Sequence, residues 1–295
     1  MNKPKQLFIL PFLFFSCFTA CSQLSGNIKS QHLDSVTKAL EAIYETDQAP
    51  RAAIDTIAQK FGHNSEQMRN LWKRIHTLDS INLLKVSALL DRYGWLSEEE
   101  VSARAHDALW LVIQHSNLNT QLKYLPLLQA AVKEGKAKAK RYAYLVDRVH
   151  TSQGKFQVYG SQFQVNPSGH TFVYPIADEP NVNQRRIQMG LDSLEISARE
   201  LGLNYKVPRQ DNYKGKVVVM GLIADAAHKP IGGVMIYVNG KLLAATGTSG
   251  EYFVVLDKKE KAHGLQLKKE GYQPAVFTLS EDKDVFESMF ILNKQ

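Results

Sequence analysis

Cysteine is nearly missing from this 295-residue chain: only Cys17 and Cys21 occur, both near the start. Downstream of them no disulfide can close, and no thiolate can act as a nucleophile or zinc ligand. Other absences remove further chemistry. There is no HExxH pair and no other spaced His/Asp ligand set, so no metal site is expected. His106 and His115 stand nine residues apart, about 180° around a helix, and cannot share an ion. GxSxG, Walker and dinucleotide glycine patterns are also missing, and no cofactor is expected. No apolar run reaches the ~20 residues that a membrane-crossing helix needs. The formal charge of +7 is spread along the chain rather than blocked. Lys133, Lys136, Lys138, Lys140 and Arg141 are the one dense basic cluster, and it reads as a solvated helix start. Without an aromatic-interleaved basic motif, nucleic acid is not an expected partner.

What is present begins with an export pattern. Lys3 and Lys5 form a short basic start, Leu7 to Phe18 is apolar except at Pro11, Ser16 and Cys17, and no acid precedes Cys21. That order of basic, apolar and small residues suits a cleavable segment over residues 1–20. Phe18-Thr19-Ala20-Cys21 resembles the bacterial lipobox, with Phe18 where Leu is usual. The resemblance implies lipidation of Cys21 with acyl chains such as palmitate, and a membrane held through that lipid. Loss of Lys3 and Lys5 would lower the charge from +7 to +5. Residues 21–31 then read as a lipidated tether. With no acidic run after Cys21, the expected place is the cell envelope, on the outer membrane facing the periplasm.

From residue 32 to about 202 the pattern is helical, and an irregular all-α domain is expected. Leu33, Val36, Leu40 and Ile43 mark one apolar stripe. Pro50 suits a first helical turn, with Ile54, Ile57 and Phe61 inward and Gly62 as a stop. Leu71, Ile75, Leu78, Val86 and Leu89 follow in a long helix ended by Gly94. Ser97-Glu98-Glu99-Glu100 reads as a capping box opening a helix through Val101 and Ala105 to Val112. Leu122 to Val132 and Tyr142 to Val149 give two more, closed by Gly135 and Gly154. Residues 155–175 alternate around the turn Asn166-Pro167-Ser168-Gly169, a β-hairpin expected to lie on the bundle. Two short helices, 182–189 and 194–201, close the domain before a linker at 203–215.

Residues 216–295 read as β throughout, with about seven short strands and an Asn239-Gly240 hairpin turn. The expectation is a seven-stranded antiparallel β-sandwich. The runs Gly221-Leu222-Ile223-Ala224-Asp225, Pro230-Ile231-Gly232-Gly233-Val234, Thr248-Ser249-Gly250-Glu251-Tyr252-Phe253 and Lys269-Glu270-Gly271-Tyr272 occur in that order. Together they resemble the carboxypeptidase regulatory-like (transthyretin-like) domain. That likeness implies an accessory module without catalysis of its own.

The helical part carries one polar constellation: Asp47, Gln48 and Arg51; Gln114 and His115; Asp147 and Arg148; Gln157, Tyr159 and Gln162. Gln114-His115 interrupts the apolar run Ala108 to Ile113, and Asp147-Arg148 sits among Tyr144, Leu145, Val146 and Val149. Polar groups inside a buried helix need partners. One reading makes His115 a general base oriented by Asp147, with Arg148 and the glutamines holding a ligand and Tyr159 offering a proton. The other makes the same residues a mutually satisfied structural network. The residue types leave both open.

These positions, with Gly94-Trp95, Tyr124 to Leu128, Gln157-Val158-Tyr159-Gly160-Ser161-Gln162, Pro175-Ile176, Asn183, Arg186 and Gly190-Leu191, are similar to a bacterial family known only as domain of unknown function 6624. The family usually has Thr at Ser161 and often Asp at Asn183. The likeness implies a shared pocket without implying a reaction. Two classes of function follow. One is an envelope binding or scaffolding protein that takes a small polar ligand, peptide or glycan. The other is a hydrolase- or lyase-type enzyme using His115 and Asp147.

Overall fold

A computed structural model describes residues 16–63, 65–166 and 169–295, with side chains described from residue 32 except Ala262 and His263. Residues 1–15 of the export segment, the lipid on Cys21 and the centre of the Pro167-Ser168 turn therefore lie outside what is described. Helices fill the N-terminal half and strands the C-terminal part, in three sheets. None of the described helices is long and apolar enough to cross a membrane. The chain divides into two compact units, Met1–Val112 and Ile113–Gln295.

In the first unit, α1 (Ser16–Arg51), α2 (Ile54–Phe61) and α3 (Glu66–Tyr93) pack through stripes at helix spacing. Val36, Leu40 and Ile43 are buried on α1; Met68, Leu71, Ile75, Val86 and Leu90 on α3. Ser65 starts α3 by accepting the Met68 amide at 3.2 Å, and Gly94 follows its last turn. The expected tether is helical backbone, because no proline between Pro11 and Pro50 stops α1. Pro50 lies in the last turn of α1 rather than opening α2. Arg51 reaches back to the Asp47 carbonyl at 2.8 Å and so holds that turn closed.

A second correction concerns α4 (Ala103–His115), which starts later than the acidic run suggests. Glu100 does accept the Ser97 amide at 2.9 Å, but residues 98–100 form a turn. The working cap is Ser102, whose hydroxyl accepts the Ala105 amide at 3.2 Å and donates to Glu41 at 2.6 Å. The unit boundary falls inside α4.

The second unit holds α5 (Leu118–Lys133) and α6 (Ala139–Ser152), then β1 (Phe163–Val165) and β2 (Thr171–Val173), then α7 (Val182–Gln188) and α8 (Leu194–Glu200). The hairpin is shorter than 155–175, with three residue pairs from Phe163↔Val173 to Val165↔Thr171. Residues 158–162 do not alternate as a strand because the amides of Val158, Tyr159, Ser161 and Gln162 are taken by side chains, described below.

Strands β3 (Lys216–Asp225), β4 (Met235–Val238), β5 (Lys241–Ala245), β6 (Glu251–Asp257), β7 (Leu265–Lys268), β8 (Ala275–Phe277) and β9 (Val285–Leu292) follow. They form one sheet in the order β6-β3-β9 and another in the order β5-β4-β7-β8. Asn239 and Gly240, at φ 48° and 73°, make the two-residue turn between β4 and β5 as expected. The expected all-antiparallel pairing fails at one place: β9 runs parallel to β3, from Val218↔Val285 to Asp225↔Leu292. No hairpin joins these two strands, so their direction is free of the turn constraint that keeps neighbours antiparallel.

Strand β3 is apolar on both faces. Val217, Val219 and Ile223 join a core shared by both sheets, including Ile236, Leu265 and Phe290. Val218 and Met220 face the other way, onto Tyr174, Phe156, Phe172 and Tyr213. Hence the hairpin segment covers the three-stranded sheet. The segment 203–215 is no free linker either. Tyr205 and Val207 pack with Ile176, Val182 and Leu194.

Candidate functional site

The polar constellation separates into two groups, one in each unit. In the first, Asp47 is fully buried on α1. Gln48 donates to its carboxylate at 2.7 Å, and Arg51 approaches at 3.4 Å. Arg51 also makes a two-pronged contact with Asp79 on α3, both bonds 2.9 Å. One turn away Thr46 donates to buried Asn82 at 3.0 Å. Asp79 and Asn82 escaped the sequence reading because a single Asp or Asn on a long helix gives no sign of which way it faces. The group ties α1 to α3; every oxygen of Asp79 engaged by Arg51 is spoken for by a structural contact.

The second group is built around Asp147, also fully buried. Its carboxylate accepts the backbone amides of Val158 at 2.6 Å, Tyr159 at 2.9 Å and Ser161 at 2.9 Å. Burial pushes its pKa above the usual carboxylate value, against the opposing pull of these amides. The same loop is held from the far side by Arg186. That guanidinium donates to the carbonyls of Tyr159 at 2.9 Å, Gly160 at 3.1 Å and Asp192 at 2.6 Å, and to the Ser197 hydroxyl at 2.6 Å. Gly160 sits at φ +66°, and a Cβ there would come within 2.9 Å of Ile176. Only glycine fits.

Gln157, equally buried, completes the arrangement. Its amide nitrogen donates to the carbonyls of Gln162 at 3.0 Å and Tyr174 at 2.6 Å, and its oxygen accepts the Gln162 amide at 2.8 Å. Gln162 in turn donates to Ser161 at 3.1 Å. Arg185 adds a bond to the Val158 carbonyl at 2.8 Å. Six polar side chains thus fix the path of one loop. The residues that carry the Gln157–Gln162 run shape backbone, and none of them is among the described lining of the cleft below.

This geometry corrects the catalytic pairing. The hydrogen bonds of Asp147 go to loop amides and none goes to His115, so Asp147 does not orient that ring. His115 is half-buried at the end of α4. Gln114, beside it, is buried with its side-chain oxygen unpartnered, while its carbonyl accepts from Gln121 at 3.1 Å. Arg148 keeps part of its surface exposed and does not join Asp147, since adjacent helical residues diverge by about 100°; burial of its guanidinium lowers its pKa. Tyr159 is half-buried, and burial raises its phenol pKa, so it stays protonated near neutrality. Among the described residues no group of three His, Cys, Asp or Glu could hold a metal.

A different feature has the shape of a ligand site. Between the β1–β2 hairpin and the β6-β3-β9 sheet lies a cleft of about 770 Å³. Sheet register sets its floor in two rows: Phe253, Met220 and Glu287, then Glu251, Leu222 and Met289. Phe172, Tyr205 and Tyr213 contribute aromatic walls. Phe253 and Met289 remain 47% and 53% exposed. Glu287 accepts from Gln164 of the hairpin at 2.9 Å. Buried Glu179 is bonded by Tyr205 and, at 3.4 Å, by Asn212, and burial raises its pKa. Every described residue of this cleft belongs to the second unit. The signal for it in the sequence was the unbroken apolar run of β3, which requires cover on both faces of the sheet.

Residues 34–208, more than half of the chain, match a family described as of unknown function, DUF6624. The chain belongs to that family. No curated protein matches it. The family's match ends before the β3–β9 sheets, whereas the polar loop network lies wholly within it.

Proposed function

We propose that this chain is a lipid-anchored protein of the bacterial cell envelope that binds a ligand in the cleft between hairpin and sheet, and does not turn one over. The basic, apolar and lipobox-like order ending at Cys21 supports the anchor. The two sheets are read as a β-sandwich of the carboxypeptidase regulatory-like kind, an accessory module against which the family domain builds its binding surface. One observation carries the choice of binding over catalysis: the carboxylate of Asp147, the best acid for a proton-transfer pair with His115, is consumed by three backbone amides. With Asp147 committed to the loop, the His115–Asp147 pair on which the hydrolase or lyase reading depends is not formed. The cleft, by contrast, falls within the ~300–1,000 Å³ common for small-molecule sites and combines apolar walls with a few polar groups.

Two variants test the two halves of this reading. Cys21→Ser should move the protein from the membrane to the soluble fraction of lysed cells; retention on the membrane would overturn the anchor. Met289→Trp should fill the cleft from an exposed position at little cost to stability. Nile red fluorescence enhancement by the wild-type chain should then be lost in the variant. Equal enhancement in both would place binding elsewhere.

A further inference from the structure

Charge at the cleft defines the class of ligand, an inference that rests on the cleft being the binding site. Glu179, Glu251 and Glu287 line it, and among its described lining residues there is no Lys or Arg. The chain as a whole carries 36 Lys and Arg against 29 Asp and Glu. A lining with three Glu, one His and no Lys or Arg is therefore a local departure on a basic protein. Glu287 and Glu251 stand at opposite edges of the floor: Glu287 on β9 opposite Met220, Glu251 on β6 opposite Leu222. Between them the floor is Met220, Leu222, Phe253 and Met289, flexible thioethers and one ring that can adapt to an alkyl or aryl body. We propose that the cleft binds a small amphipathic cation, its apolar body along Met220 and Leu222 and its positive group at Glu287 or Glu251.

The arrangement disfavours the alternatives on electrostatic grounds. A fatty acid or other amphipathic anion would bring a carboxylate beside Glu251 and Glu287, with no Lys or Arg in the described lining to neutralise it. An uncharged amphiphile would gain the apolar contacts alone. Tyr205, Tyr213 and Phe172 line the cleft, and aromatic rings favour a quaternary or primary ammonium over a neutral group. The cleft's volume suits one such molecule of drug size rather than a folded partner.

The test is calorimetric titration of the full chain with three decyl probes below their micelle concentrations: decyltrimethylammonium, decyl maltoside and decyl sulfate. The expected result is one site per chain, with the ammonium bound at least about tenfold tighter than the maltoside and the sulfate weakest, a difference of the size one favourable charge contact gives. In the double variant Glu251→Gln, Glu287→Gln the ammonium should fall to the affinity of the maltoside, whose own binding stays unchanged. Equal binding of ammonium and maltoside, both abolished by Met289→Trp, would overturn the charge selection and leave the cleft intact as a site. Heat from none of the three, or from a lysine-containing amphipathic peptide alone, would overturn the small-cation assignment. Absence of Nile red binding as well would mark the failure as that of the cleft itself.

Discussion

At the scale of single residues the contrast between Asp147 and Arg148 is the sharpest. They are adjacent, both charged, and equally conspicuous inside an apolar helix, yet one is buried and the other exposed. Asp147 acts on backbone: three loop amides would lose their acceptor if it were removed. An unsatisfied buried polar group costs about 1–3 kcal/mol. Asp147→Ala should therefore destabilise the protein by about 3 kcal/mol or more, allowing for some water entry. Arg148→Ala, leaving no orphan behind, should fall within about 0.5 kcal/mol of wild type. Urea denaturation followed by circular dichroism measures both. A catalytic Asp147 would instead be dispensable for stability, so near-equal midpoints for the two variants would restore the acid/base reading.

At the scale of elements, much was legible because the signals were local. The long helix ending before Gly94, the α5 and α6 pair closed near Gly135 and Gly154, and the Asn239-Gly240 turn all follow from periodicity and from residues that tolerate positive φ. The errors occurred where a side chain from elsewhere in the chain decides. Residues 156–162 alternate like a strand, but Asp147 and Gln157 take the hydrogen bonds a strand partner would have made. Likewise the acidic run 98–100 imitates a capping box. Half the box forms, since Glu100 accepts the Ser97 amide, while the helix waits for Ser102. The two serines make unequal contributions. Ser102→Ala removes a cap and a bond to Glu41, a loss of about 1–2 kcal/mol. Ser97→Ala leaves the backbone amide that does the bonding in place and should be nearly neutral. Thermal unfolding of the two variants settles which serine starts α4; a larger drop for Ser97→Ala would contradict the assignment.

At the scale of the whole molecule, composition suggested a helical domain, a linker and a β domain joined end to end. The contacts follow another plan. The hairpin and the segment 203–215 belong with the strands, sealing the face of β3 that Val218 and Met220 present. A sequence cannot reveal this directly, because a residue such as Tyr213 reads as linker until the apolar face awaiting it is known. The consequence is mechanical. Glu179 is bonded by Tyr205 and Asn212, and the Gly154 carbonyl accepts the amides of Asp284 and Val285, each at 2.8 Å. The Gly154 bonds pin the start of the covering layer to β9, and the Glu179 bonds tie segment 203–215 to that layer. Lys206, Arg209 and Lys214 are exposed, but Tyr205, Val207 and Tyr213 beside them are packed, and a packed segment resists proteolysis until it opens. Limited trypsin digestion of the native protein should accordingly spare Lys206, Arg209 and Lys214, although all three lie in the stretch that composition marks as a linker. If residues 216–295 are expressed alone, Val218, Met220 and Val285 lose their cover, and the fragment should aggregate or bind apolar dye. Rapid trypsin cleavage at those three sites, yielding a stable and soluble C-terminal piece, would instead support independent domains. The cleft would then lack its hairpin wall as an obligatory part, which is why the digestion bears on function as well as architecture.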